Sequence, residues 1–351
     1  MSLVPMDVPQ PYRREGPVVT VLGSDKNLDL SLAEPSPYMI KGQRIWRATK
    51  GMLKAAAFAA LFVTYPAMMW SAHEINDDPV EAVTATTWAS PATGVAITLV
   101  AREVEGPGWT SDKPAFFPAR QLTAQPAWQA AIADSLADYF QLAAGTVTRD
   151  AEIDPDLAAA SRLLRTKSDS EMTPRLIAAA EALARFNGRV HAGLIEDLDA
   201  DADLAQSMRL YASWAETSSE ELASLIGHSN GWPASRADVH TYYTARARAH
   251  VAAALLQAAV HTHPELMQRA SLRAQLYETQ ALWARIASQD PLVVSNQDGD
   301  GAILPNHLAA MAWHLEQAEE SSLQLAELIL GTQPADMTLA GADSIILTSS
   351  P

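Results

Sequence analysis

From Ala55 to Ala72 the chain reads AAAFAALFVTYPAMMWSA, 18 residues without a charge. A helix needs about 20 apolar residues to cross a hydrocarbon core. The run is therefore either a membrane span or a helix deep inside a protein core. Its flanks favour the span: Lys41, Arg44, Arg47, Lys50 and Lys54 precede it, and Glu74, Asp77, Asp78 and Glu81 follow it. Cations are retained on the cytoplasmic side. The expectation is a single-pass bacterial inner-membrane protein with its N-terminus inside and everything after Ala72 in the periplasm. Tyr65 and Trp70 suit the outer interface. A cleaved signal peptide fits less well, because about 50 residues come before the run and bulky Trp70 sits where a small residue should precede a cut. Residues 51–72 thus read as an uncleaved anchor. Ala55 and Ala59, like Ala56 and Ala60, have the spacing that lets two helices approach closely, so a homo-oligomer is one expectation.

The anchor divides the charge unevenly. Residues 1–72 hold eight Lys/Arg and five Asp/Glu, a balance of +3, so the formal −16 of the whole chain leaves −19 on residues 73–351. A body this acidic lacks the clustered cations that neutralise phosphates, which excludes a general nucleic-acid binder. Cysteine is absent, which excludes disulfides, thiolate nucleophiles and Cys-ligated metals. No G-x-S-x-G, Walker A or dinucleotide fingerprint occurs.

The rest reads as an all-α protein, with the anchor followed by an antiparallel helical bundle. Residues 1–50, with six prolines from Pro5 to Pro37 and no helical periodicity before residue 41, read as a flexible cytoplasmic tail. Residues 73–330 carry apolar residues at helical spacing, and 331–351 read as a flexible C-terminal tail. The expected helices begin with Ala92–Val104, which stops at Gly106-Pro107-Gly108. A helix from about Pro126 to Ala143 follows, and another starts at the cap-and-proline pair Asp154-Pro155 and runs to about Arg165.

Thr173-Pro174 opens a longer helix with Leu176, Ala180, Leu183, Val190, Leu194 and Leu198 on its stripe. The next spans about Asp201 to Ile226. Ser235 caps one that ends near His263, and a further helix reaches about Ser288 with Leu272, Leu276, Thr279, Trp283 and Ile286 on one face. The last, after Pro305, places Leu308, Met311, Leu315, Ala318, Ser322, Leu325 and Ile329 at alternating three and four, the spacing of a helix packed along neighbours.

Several of these residues carry a resemblance. Phe116-Phe117-Pro118, the Ala245-Arg246 helix running into Ala254-Leu255-Leu256, Glu278-Thr279-Gln280, and Asn296 with its glycines followed by Asn306-His307 and Met311-Ala312 make the stretch from about Gly94 to Leu330 resemble the bacterial domain-of-unknown-function family numbered 2333. That resemblance implies a membrane-anchored helical architecture and a constrained loop, and it brings no activity with it.

The constrained loop is the richest candidate for chemistry. Asn296-Gln297-Asp298-Gly299-Asp300-Gly301-Ala302-Ile303 copies the first half of an EF-hand loop, with oxygen ligands at positions one, three and five and glycine at six. Asn296, Asp298 and Asp300 are thus candidate calcium ligands. Position twelve is His307 instead of a bidentate glutamate, a nitrogen where calcium prefers oxygen. The competing reading is a helix connector rich in turn-forming residues, with no cofactor. The acidic run Glu196–Asp203 lacks the central glycine of a calcium loop and reads as a solvated corner. His261 and His263 point to different faces, and His307 and His314, seven apart, share one without further ligands.

Arg246 and Arg248, on an Ala-rich helix, would need carboxylate partners if buried, Glu278 being one candidate. Trp109, Phe116 and Phe117 among prolines form either a core plug or an aromatic patch for a partner, and Asn306 and His307 are further candidates for partner contact. Two functions stay open. One is a non-catalytic interaction or envelope-assembly module that binds the membrane through residues 51–72 and another envelope protein through its body. The other is a periplasmic hydrolase or calcium-binding protein built on Asp298, Asp300 and His307.

Overall fold

The computed structural model describes residues 41, 45–56, 58–59, 63, 75–80, 88–115, 117–146, 153–167, 171–195, 201–228, 234–262, 268–297 and 305–331. The chain divides into two units, Met1–Leu61 and Phe62–Pro351. In the first, residues 45–56 are helical and exposed. Of the charge-free run, Ala55, Ala56, Phe58, Ala59 and Val63 are described and helical, and the remaining residues of the expected anchor lie outside the described set. Among the described residues no helix is long and apolar enough to cross a membrane.

The second unit is all-helical among its described residues and forms a bundle. Its helices are α1 (Pro91–Glu105), the single turn α2 (Pro118–Gln121), α3 (Ala124–Thr146), α4 (Pro155–Leu164), α5 (Met172–His191), α6 (Asp201–Leu225), α7 (Arg236–Thr262), α8 (Ala270–Ala287) and α9 (His307–Gly331). They close into two rings that share α7. In one, α6, α7, α8 and α9 pack in sequence and α9 returns onto α6 in the most extensive contact of the fold. In the other, α7 packs on α3, α3 on α4, α4 on α5, α5 on α1, and α1 returns to α7.

The shared helix explains its own composition. A helix facing neighbours on all sides cannot be amphipathic, and in α7 the consecutive residues Ala245, Arg246 and Ala247 are all buried, as is the whole run from Ala249 to Ala252. Alanine dominates because a small side chain lets neighbouring backbones come close. The outer helices keep the expected stripes. Every residue predicted to face inward on α8 and α9 is buried. On α5 the buried face runs through Met172, Leu176, Ala179, Leu183 and Phe186, one residue away from the expected Ala180. The helix stops at His191, so Leu194 lies beyond it, 73% exposed, and Leu198 lies outside the described residues.

Side-chain caps set the N-termini of α4, α5, α7 and α9. Asp154 accepts from the backbone N–H groups of Asp156 and Leu157 at 3.0 Å each, satisfying two of α4's free donors, and Arg189 pairs with its carboxylate at 2.8 Å. Ser235 and Asp238 form a reciprocal capping box at the start of α7, each side chain accepting from the other's backbone N–H. Asn306 caps α9 by accepting from Ala309 N–H at 3.0 Å. The start of α5 is capped from a distance: Asp112 accepts from the N–H groups of Met172 (2.9 Å) and Thr173 (2.7 Å) and from the Thr173 hydroxyl (2.6 Å). No local pattern announces a cap 60 residues away. The residue after α1 is Gly106, and a Cβ there would lie 2.6 Å from the Arg102 carbonyl oxygen, so the C-cap conformation selects glycine.

Candidate functional site

The polar heart of the fold lies where α1, α3, α7 and α8 meet segment 75–80. Arg246, in the middle of α7, has a fully buried side chain. Its Nε donates to the Ala287 carbonyl at the end of α8 (3.0 Å), Nη1 pairs with Asp290 (2.9 Å), and Nη2 pairs with Asp77. Its guanidinium also sits 5.5 Å from the Trp128 ring centroid and 5.8 Å from that of Tyr243. The predicted ion pair for Arg246 exists, but its partners are Asp77 and Asp290 and not Glu278. Arg248 donates to the Ser218 hydroxyl at 2.8 Å and lies 3.6 Å from Glu221.

Segment 75–80 is fastened at more than one point. Arg102 on α1 donates to the Asp78 carbonyl at 2.6 Å and weakly to that of Pro79 at 3.4 Å, and Val80 is buried. Behind the arginine, Trp128 on α3 donates from Nε1 to Glu103 at 3.0 Å. Burial pushes the Glu103 carboxyl above its ordinary range, opposed by hydrogen bonds from Gln129 and Trp128 and by the charge of Arg102. The Gln129 carboxamide is also held by Thr110, whose N–H (2.9 Å) and hydroxyl (2.8 Å) both donate to it.

One turn beyond Arg246, the His250 ring lies 5.3 Å from that of Trp128, tilted by 41°, and is 4% exposed. Burial, reinforced by the charges of Arg102 and Arg246, pushes its imidazole down to about 4, so it is neutral near pH 7. Its Nε2 makes no hydrogen bond among the described residues. His250 lines a pocket of about 250 Å³ between α7, α8 and segment 75–80. Ser288 lines the same pocket, but no hydroxyl is bonded to His250 among the described residues, so the nucleophile–base pairing of acyl-transfer enzymes is not formed there.

The described ends of the loop singled out from sequence are held by hydrogen bonds to neighbouring helices. Asn296 is buried, and its Nδ2 donates to the Leu225 carbonyl at the end of α6 (2.9 Å) and to Asp238 at 3.3 Å. Asn306 donates to its Oδ1 at 3.4 Å. His307 and Ser295 exchange two bonds: Ser295 N–H donates to His307 Nδ1 at 3.0 Å, and His307 N–H donates to the Ser295 carbonyl at 2.9 Å. These contacts tie the loop ends to α6 and α7. Asp298 and Asp300 lie outside the described residues. Among the described residues no three His, Asp or Glu side chains come together to hold a metal.

Trp109 is 6% exposed and belongs to the core, Phe117 is half-buried under the Lys113 ammonium at 4.7 Å from its ring, and Phe116 lies outside the described residues. His314 is half-buried, and burial with the Arg285 charge lowers its pKa. His263 lies outside the described residues.

Sequence reasoning missed Asp77, Glu103, Trp128 and His250 as members of one cluster. The available signal was a cation within an Ala-rich helix, since such a helix buries what it carries and Arg246 then requires carboxylates from elsewhere. No protein-family model, no curated protein and no solved structure matches this chain.

Proposed function

We propose that the chain is an inner-membrane-anchored protein whose helical body lies on the periplasmic side as a non-catalytic interaction or envelope-assembly module. One observation carries the reading. Ile45, Trp46, Met52, Leu53 and Phe58 are 62–76% exposed on the helical stretch that leads into the charge-free run. At 100° per residue Ile45, Trp46, Met52 and Leu53 share one face of the helix, with Phe58 on the other side, and an exposed apolar face of this size is stable only when lipid or protein covers it. Arg47, Lys50 and Lys54 stand among them, with the Lys50 ammonium 5.1 Å from the Trp46 ring centroid, the mixture of cation and aromatic that suits a membrane–water interface.

The body supports the non-catalytic half of the proposal. Among the described residues the buried charges are engaged in structural contacts: Arg246 with Asp77, Asp290 and a helix end, Glu103 with Trp128, Asp154 with a cap and Arg189, Asp238 with a capping box and Asn296. The test is extraction of isolated membranes with alkaline carbonate. The full chain should stay in the pellet, and a chain lacking residues 45–72 should move to the supernatant. Release of the full chain by carbonate would refute the anchor.

A further inference from the structure

The pocket between α7, α8 and segment 75–80 is built unlike the rest of the polar core. Its walls are four alanines of α7 and α8, together with Pro79 and Val80. At about 250 Å³ it approaches the lower end of the range for small-molecule sites. Among the described residues lining it, the formal charges belong to Asp77 and Asp78. Asp77 is spent on Arg246. Asp78 is exposed, and its carboxylate enters no ion pair among the described residues. Gln257, Gln280 and Ser288 also line it, with His250, whose buried, uncharged imidazole makes no hydrogen bond through Nε2 among the described residues.

We infer that this pocket is a binding site for a small organic cation of the alkylammonium class, with the ammonium against Asp78 and the alkyl chain along the alanines. The chemistry follows from the lining. At the Asp78 end an anion would meet an unpaired carboxylate and no cation among the described lining residues; the charges of Arg102 and Arg246 act at the His250 end, where Asp77 and Asp290 pair with Arg246. A divalent metal would need three or more hard ligands, and the described residues bring no such group together. An alkylammonium requires one unpaired carboxylate, a few neutral acceptors and an apolar trough, and all three are present. A neutral imidazole adds no repulsion to an incoming cation. This inference is independent of the membrane anchor and would stand if the anchor were disproved.

The test uses the full chain in detergent and titrates it with putrescine, 1,4-butanediol and succinate, reading calorimetric heat and the imidazole NMR signal of His250, assigned by its loss in His250→Gln. Putrescine should bind and move the His250 signal, while the diol of similar shape and the dianion should do neither. Asp78→Asn should keep the wild-type melting temperature and bind putrescine roughly fivefold more weakly, the size expected for losing one partly solvated ion pair. Gln257→Lys, which brings a competing ammonium into the pocket, should abolish binding. Absence of putrescine binding, equal responses to putrescine and butanediol, or unchanged affinity in both variants would overturn the assignment.

Discussion

Replacing Asp77 with alanine tests how tightly the segment following the charge-free run belongs to the bundle. The Arg246 side chain is 1% exposed, whereas Asp77 is 33% and Asp290 71% exposed. Removing one partner of a fully buried pair costs about 3–5 kcal/mol, because the other charge stays buried without its counter-ion. Here Asp290 and the Ala287 carbonyl remain, and Asp77 is itself partly solvated, so the expected loss is about 2–3 kcal/mol. For a body of this size each kcal/mol lowers the melting temperature by about 2–4 °C, which predicts a fall of roughly 5–10 °C. Thermal melting of the full chain, followed by tryptophan fluorescence, reads it out, since Trp128 lies beside the arginine. In an Arg246→Met background the same Asp77→Ala change should cost almost nothing, because the buried charge is gone. A single variant melting within about 1 °C of wild type would refute the reasoning. Any soluble version of the body should accordingly begin before residue 75, since a start at Asp78 removes the partner of Arg246.

Met311 is fully buried on α9, so Met311→Asp should destabilise the fold by about 4 kcal/mol or more, read by urea melts, because it places an unpaired carboxylate in the core. Asn296→Ala should cost about 1 kcal/mol by removing one of the two donors to the last carbonyl of α6, which keeps the His228 N–H at 3.2 Å, and the loss should be the same with and without millimolar calcium if the amide's work is structural. His250 gives a pH dependence of known sign. Its folded pKa of about 4 lies below the ordinary 6.5, so its protonation favours the unfolded chain. Stability should fall as pH drops from 6.5 towards 4, by up to about 3 kcal/mol, and His250→Leu should flatten that limb in denaturant melts at stepped pH.

Local order was easy to read from the chain because it is set by neighbours in sequence. Asp154-Pro155, the Ser235 cap and the Pro305–His307 start each declare a helix N-terminus within a few residues, and the structure places α4, α7 and α9 there. The stripes of α8 and α9 were equally legible, since each helix has one buried face. α7 was not, because a helix shared by two rings has no single face to reveal. The start of α5 depends on Asp112, a residue from another part of the chain, and the Arg246 partners come from 169 residues upstream and 44 downstream. A distance of that kind leaves no periodic mark. In the 296–307 loop, Asn296 sits at the first ligand position of a calcium pattern, and its Nδ2 also donates to the end of α6, a strut that the spacing does not announce. Ligand-type residues at ligand spacing also serve as caps and struts, and only their contacts distinguish the two.

The central claim, an anchored body facing away from the cytoplasm, is tested most directly by reporter fusions to the full chain. A reporter active only outside the cytoplasm should be active when joined after Glu81 or at Pro351 and silent when joined before Lys41, as the cations at 41–54 and the acids at 74–81 require. Activity before Lys41 with silence at Pro351, or silence at all three positions while the protein is made, would contradict it.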